Sequence, residues 1–412
     1  MQNLKRDIYL NRIMPYIGKN LIKVITGQRR TGKSYLLRQI IDLIKKQNPE
    51  RQIIYINKED YAFDAIKNYA DLIAYVDKTR ANDEISLFVD EVQDISQFER
   101  ALRHFLLKPE YDIYCTGSNS EILSGDIATL LSGRTIETEV YSLCYPEFLS
   151  FHNLEDTHEN FERYMIYGGM PNLIHLPFED EIVFNYLKNL FNTIVVRDVI
   201  ERHQIRNAVL LRNLCEYIAD NLGSLVSGKK VSDYLKSHKI TMSPAMVIEY
   251  LTFLCEAFFV FRVKRSDLQG KKILEVNEKY FFNDIGLRNS LIGFKAADMG
   301  KLLENIVFNH LKIAGYQITI GEDRTREIDF VARKNNELVY IQVCYKLEND
   351  ATINREFGNL LKIKNNFPKY VVSMDISSKA TFQGINHFHV KDFCKSIIEH
   401  TAQIYSVLPG NR

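Results

Sequence analysis

The sequence predicts an α/β protein whose first third winds around a mostly parallel sheet, and three observations predict it. Five β-rich runs, at 21–26, 52–57, 85–90, 111–116 and 135–141, alternate with helical patterns at 34–47, 65–79 and 96–108. Apolar strands separated by helices form a parallel sheet covered on both faces. A glycine-containing turn, Gly27-Gln28-Arg29-Arg30-Thr31-Gly32-Lys33-Ser34, joins the first run to the first helix. The third run, Leu87-Phe88-Val89, ends in two acids, Asp90 and Glu91.

Length and composition bound the rest. The chain has 412 residues, which at roughly 150 residues per domain implies two to four domains. It is 46% hydrophobic and 25% charged, which excludes a disordered chain and a disulfide-stapled mini-protein. With 53 Lys+Arg against 52 Asp+Glu the net charge is +1, so any hold on nucleic acid comes from a local patch. The six cysteines form no C-x-x-C pair and read as free thiols in a reducing compartment. The charge-punctuated opening residues lack a signal-peptide core, and the most apolar stretch, 251–261, is short and carries Glu256. A cytoplasmic protein with no membrane partner is expected.

The turn fits G-x-x-x-x-G-K-[ST]. Gly27 and Gly32 let the backbone wrap its N–H groups around a phosphate, with Gln28, Arg29, Arg30 and Thr31 completing the cradle and Tyr35 flanking it. The following helix aims its positive N-terminus at the same anion. Lys33 reaches the β and γ phosphates, and Ser34 offers a hydroxyl to Mg²⁺. Asp90, at a strand tip, is expected to hold that Mg²⁺ through water, and Glu91 to activate the attacking water.

The fourth run ends in Thr116-Gly117-Ser118-Asn119, where Ser118 or Asn119 is placed to sense the γ phosphate. Arg134 precedes the fifth run and reads as a cis sensor, a finger offered to a neighbouring subunit of a homo-oligomer, or a solvated arginine. Asn57-Lys58-Glu59-Asp60 matches the guanine-reading N-K-x-D string but precedes the acidic strand instead of following it. The order favours ATP over GTP.

Beyond residue 150 the patterns change. Residues 151–228 are nearly all helical, interrupted by Gly168-Gly169-Met170-Pro171. Residues 229–293 hold helices at 231–238 and 244–254 followed by a β-rich pair, the order of a winged helix. Residues 294–412 form a further α/β unit, with a helix at 301–314 and strands at 317–320, 327–333, 338–344 and 370–374.

The strings VITGQRRTGKSYLL, LFVDEVQDI, CTGSNSEIL, LSGRTIETEVYSLCYPEF, the Gly-Gly-Met-Pro turn, VVRDV and KYFFNDIGLRNSL, in this order, resemble bacterial and archaeal AAA-type ATPases related to signal-transducing multidomain ATPases. The resemblance implies an additional-strand P-loop NTPase core over 1–150, a helical lid, a winged helix and a C-terminal domain like restriction endonucleases.

In that last domain Glu304, Asp329 and Gln342 read as a Mg²⁺-dependent PD-(D/E)xK nuclease core. An Asn335-Asn336 hairpin turn would pair positions summing to 671, setting Asp329 opposite Gln342. The motif ends in Gln342-Val343-Cys344 with no lysine, and Lys346 is the substitute if the strand continues. A degenerate, non-cutting fold is expected. Basic residues Lys229, Lys230, Lys236, Lys239, Arg262, Lys264, Arg265, Lys271 and Lys272 offer contacts to DNA phosphates. The helix at 244–254 is apolar and carries no base reader, which favours packing, a protein partner or weak non-specific DNA contact. The expected function is an ATP-hydrolysing switch that moves its C-terminal modules. An ATP-gated nuclease and a nucleotide-loaded scaffold with little turnover are the alternatives.

Overall fold

The computed structural model describes residues 4–123, 131, 133–268, 273–323, 326–347, 350–375 and 381–406; Lys271 and Lys272 lie outside them. The chain divides into two compact units: residues 1–141 with 256–258 and 402–412, and residues 142–255 with 259–401. All six cysteines are free thiols, and no helix among the described residues is long and apolar enough to cross a membrane.

The first unit is built on β1 (Ile22–Thr26), β2 (Gln52–Asn57), β3 (Ile85–Asp90), β4 (Tyr111–Gly117) and β5 (Thr135–Glu139). Their order is β2-β3-β4-β1-β5 and every pairing is parallel. β3 and β4 are buried at every position, which is why their sequence is continuously apolar instead of alternating. Helices α1 (Asp7–Ile13), α2 (Lys33–Gln47), α3 (Tyr69–Thr79) and α4 (Phe98–Leu106) complete the unit. α4 turns Phe98, Ala101, Leu102 and Phe105 inward at helical spacing. α3 starts later than its pattern suggested because Asn68 and Asp71 form a capping box.

Parallel register gathers the strand tips at one edge. Thr26 lies beside Gly117, Asn57 beside Asp90, and Val89 beside Cys115. Loops leaving these tips therefore converge, as ligand sites of open α/β sheets require. The insertion of β4 between β1 and β3 puts the Thr116–Asn119 segment against the acidic strand.

The second unit begins with α5 (Tyr145–His152), α6 (His158–Tyr167), α7 (Asp180–Thr193), a π-helical stretch (Ile194–Glu201), α8 (Ala208–Asp220), α9 (Gly228–Ser237) and α10 (Pro244–Glu256). Strands β6 (Val260–Asp267) and β7 (Ile273–Phe282) follow, then α11 (Ile285–Ile292), α12 (Met299–Ile313), β8 (Gln317–Asp323), β9 (Arg326–Lys334), β10 (Glu337–Val343), α13 (Asp350–Leu361), β11 (Lys369–Ser373), β12 (Thr381–Phe382), β13 (Ile385–His389) and α14 (Val390–Ser406). One sheet runs β12-β13-β11-β10-β9-β8-β6-β7. The β6–β7 hairpin does not stand apart: Arg265 of β6 pairs with Ile320 of β8, so the free edge of the hairpin is satisfied by another strand.

The glycine turn has a packing reason. Gly169 N–H donates to Asp284 Oδ2 at 2.8 Å and its carbonyl accepts from Leu143 N–H at 2.7 Å. A Cβ there would sit 2.2 Å from Leu143 O. Asp284 also caps α11 by accepting from Leu287 N–H. In the π-helical stretch Arg197 is exposed while Asp198 is buried.

Candidate functional site

β1 delivers the chain into the loop and α2 takes it away. Gly27 has φ +138 and its Cβ would lie 2.1 Å from Val140 O, so only glycine fits. Gly32, at φ +95, and Arg30, at φ 67, complete the left-handed turns that orient successive backbone N–H groups inward. Gln28, Arg29, Thr31 and Lys33 are buried, whereas Arg30 and Tyr35 are exposed and Ser34 is half-buried. Thr31 Oγ1 donates to Gln28 O at 2.8 Å.

Lys33 Nζ donates to Gly27 O at 3.0 Å and Gln28 O at 3.1 Å, and lies 3.5 Å from Glu91 Oε1. Arg29 pairs with Glu59 at 2.6 Å. From behind, Arg6 braces the loop: its Nη1 donates to Thr31 O at 2.8 Å and Tyr141 O at 3.0 Å, with the guanidinium 4.5 Å from the Tyr9 ring centre.

Asp90 is 1% exposed. Tyr55 OH donates to its Oδ2 at 2.9 Å and Thr116 Oγ1 donates to its Oδ1. Thr116 Oγ1 in turn accepts from Glu91 N–H at 2.8 Å, so one hydroxyl fixes both acids. Burial, reinforced by the Asp90 charge, pushes the Tyr55 phenol upward, which keeps it a donor. Glu91 adopts φ 55, a left-handed conformation that non-glycine residues take at a cost and often at functional sites. Burial opposes its charge, but Lys33 and Arg29, with hydrogen bonds from Gln93 and Ser118, hold its pKa down at about 2. Ser118 and Asn119 are both buried at the tip of β4.

Oxygen-only donors suit Mg²⁺, which takes one or two protein ligands and completes its shell with phosphate and water. A partly exposed Ser34 hydroxyl and the fixed Asp90 carboxylate fit that requirement. The Asn57–Asp60 string is structural. Lys58 Nζ donates to Phe63 O and Ile66 O, Glu59 pairs with Arg29, and Asp60 caps the following turn.

Arg134 is exposed, and its carbonyl accepts from Ile22 N–H at the start of β1. Four residues of strand, about 13 Å at ~3.3 Å per residue, separate that point from Thr26. Arg134 therefore is not brought to the loop of its own chain along this sheet.

In the second unit β9 and β10 pair through a turn in which Asn335 has φ 52. Phe330 faces Ile341, so positions sum to 671 and Asp329 meets Gln342. Val343 N–H donates to Asp329 Oδ2 at 2.8 Å. β10 ends at Val343, so the alternation invoked for Lys346 does not reach it, and Lys346 is exposed. Another lysine occupies the area: Lys279 of β7, 3% exposed, lies 2.9 Å from Glu304 and 2.7 Å from Glu327. Burial works to lower the Lys279 pKa, but Glu304, Asp329 and Glu327 outweigh it and raise it. Burial and the nearby Glu304 charge push Asp329 well upward. Among the described residues no group of three His, Cys, Asp or Glu could hold a metal ion.

Sequence reasoning missed Arg6, Tyr55, Gln93, Thr116 and Lys279. Thr116 and Gln93 carried a signal, since each sits in a chemistry-bearing string. Arg6 and Lys279 carried none, because long-range packing brings them in.

Comparison with known proteins agrees with this geometry. Residues 19–149 match the AAA domain family, and residues 158–298 match a domain of unknown function (DUF8612). The chain is 32% identical to an "Uncharacterized protein" of Haemophilus influenzae over 95% of this chain and 98% of that one. It is also 32% identical to an uncharacterized protein of Methanocaldococcus jannaschii, over 86% and 80% of the two chains. Among solved structures it is similar to the Walker-type ATPase PABY2304 of Pyrococcus abyssi, at 16% identity and TM-score 0.47 over 70% of this chain and 95% of that one. Homology to the AAA domain suggests nucleotide binding and hydrolysis in general. The chain belongs to the same family as the Haemophilus and Methanocaldococcus proteins, and the unit that holds its parallel sheet, glycine loop and paired acids carries an AAA domain.

Proposed function

We propose that this protein is a Mg²⁺-dependent ATPase whose nucleotide state switches its C-terminal modules. The observation that carries the reading is the convergence of Lys33 and Glu91, 3.5 Å apart, at the mouth of a loop whose neighbouring acid, Asp90, is fixed by Tyr55 and Thr116. The backbone of residues 27–34 cradles the phosphates, and Lys33 pairs with the β and γ oxygens. Ser34 and Asp90 would hold Mg²⁺, which neutralises phosphate charge when bound.

Glu91 is the general base. Water oxygen bonds to the γ phosphorus, the bond to the β–γ bridging oxygen breaks, and its electron pair leaves with ADP. The water proton passes to the Glu91 carboxylate. Phosphate competes with Glu91 for Lys33, and losing that cation raises the Glu91 pKa toward a useful base. Ser118 and Asn119 are placed to report the γ phosphate. Arg134, remote from its own loop, suits a finger offered to a second copy in a homo-oligomer. The structural use of Asn57–Asp60 supports ATP over GTP.

The modules are read as a core (1–150), a helical lid (151–228), a winged-helix-like element (229–293) and a nuclease-like end (294–412). Lys229, Lys230, Lys236 and Lys239 are exposed and offer non-specific contacts to DNA phosphates. The outer face of α10 shows Met246, Ile248 and Glu249, which suits a protein partner better than base readout. At the nuclease-like end Glu304 is tied to Lys279, and this supports a binding or scaffold role over cutting.

The test is phosphate release from Mg-ATP by the full chain and by Glu91→Gln, with binding of a fluorescent ATP analogue measured in both. Loss of release with retained binding is expected. Equal release would remove Glu91 from the mechanism, and tight binding without release in either protein would favour the loaded-scaffold alternative.

A further inference from the structure

Gln93, two residues beyond the base, makes a connection that the reading above leaves unused. Its Nε2 donates to Glu91 Oε2 at 2.6 Å and lies 3.5 Å from Ser118 Oγ. Its Oε1 is buried without a hydrogen-bond partner among the described residues, and it rests against Gly117, where an added Cβ would be 3.0 Å away. The amide orientation is determined: a flip would set Oε1 against the Glu91 carboxylate, oxygen to oxygen. The backbone beneath it is a short turn, Val92–Asp94, tied by Asp94 N–H to Glu91 O and by Ile95 N–H to Val92 O. A rigid turn thus presents one amide to two groups, the base and the tip of β4.

We propose that Gln93 is a positioning residue for hydrolysis, coupling the Glu91 carboxylate to the Ser118–Asn119 turn. Lys33 faces Glu91 Oε1, so Gln93 holds the other oxygen, Oε2. When phosphate draws Lys33 away, Oε1 is released toward water while Gln93 keeps the carboxylate from rotating. A shift of the Ser118–Asn119 turn against the γ phosphate reaches Glu91 through this amide. A buried acceptor left unpaired at a catalytic carboxylate needs an explanation, and retaining the side chain for its donor end supplies one. The proposal rests on Glu91 being the base.

The experiment is steady-state ATP hydrolysis by the full chain as wild type, Gln93→Leu, Gln93→Glu and Glu91→Gln, with thermal melts to establish folding. A positioned general base contributes roughly 100–10,000-fold, and losing its aim is expected to remove about 10–100-fold of kcat in Gln93→Leu, with KM for ATP changed less than about threefold. Gln93→Glu keeps the size and shape of the side chain but has no N–H to give Glu91 Oε2, so it is expected to lose kcat by a similar factor with KM and the melt near wild type, a kcat-against-KM split that a merely structural role would not produce. If Gln93→Leu fails to fold, Gln93→Glu decides. Wild-type kcat in folded Gln93→Leu or in Gln93→Glu overturns this proposal alone. Release by Glu91→Gln equal to wild type overturns the base assignment and this proposal with it.

Discussion

Replacing Arg6 by methionine removes a guanidinium that is 1% exposed and donates to two carbonyls, Thr31 O in the phosphate loop and Tyr141 O beyond β5. Methionine fills much of the same volume without donating. Each buried carbonyl left without its donor costs about 1–3 kcal/mol, and loss of the stack on Tyr9 adds about 1 kcal/mol. The sum is about 3–7 kcal/mol, a large fraction of ordinary domain stability. The same change frees the Thr31 peptide, whose fixed orientation preorganises the loop. Each 1.4 kcal/mol of lost preorganisation weakens nucleotide binding about tenfold. Arg6→Lys keeps the charge but not the planar fork that spans both carbonyls, and falls between. Urea unfolding followed by circular dichroism reads the stability, and anisotropy of a fluorescent ATP analogue reads the affinity. Arg6→Met within about 0.5 kcal/mol of wild type, the range of an ordinary surface substitution, together with unchanged affinity, would refute the strut.

Two further outcomes are expected. Lys279→Met leaves Glu304 and Glu327 without their shared cation and lowers stability by about 3–5 kcal/mol. That deficit shrinks in urea melts as pH falls, because burial raises the Glu304 pKa and its protonated form leaves no charge unpaired, and a deficit independent of pH would contradict the ion-pair account. Glu91 has a folded pKa of about 2 against an ordinary 4.5. Because the folded value is the lower one, its contribution is fully present above about pH 4.5 and is lost as pH falls toward 2. Across that window wild type should lose more thermal stability than Glu91→Gln, and parallel melting curves would contradict the assignment.

Much of this was legible in the residues. The alternation of apolar strands with helices, the glycine loop and the acid pair are local patterns, and the alternation is what implies a parallel sheet. The Asn335-Asn336 turn, also local, gave the β9–β10 register. Composition could not show that β6 would pair with β8, since strand pairing across fifty residues leaves no periodic trace. Lys279 and Glu304 sit on different elements, β7 and α12, so no single-segment motif holds both, whereas Lys346 follows Gln342 in one segment but past the point where β10 ends. Arg6 was unreadable for a related reason: a charged residue before a short helix looks like surface until the loop it braces closes over it. Gln93 stood in plain view inside LFVDEVQDI, but hydrogen-bond direction shows its partner only in three dimensions.

The most direct measurement is a crystal structure of the full chain with a non-hydrolysable ATP analogue and Mn²⁺, using anomalous scattering to place the metal. The account predicts the triphosphate inside residues 27–34 with Lys33 on its β and γ oxygens. It also predicts an anomalous peak between Ser34 and Asp90, and Glu91 facing the γ phosphate. Nucleotide bound elsewhere, or a metal away from Ser34 and Asp90, would contradict it.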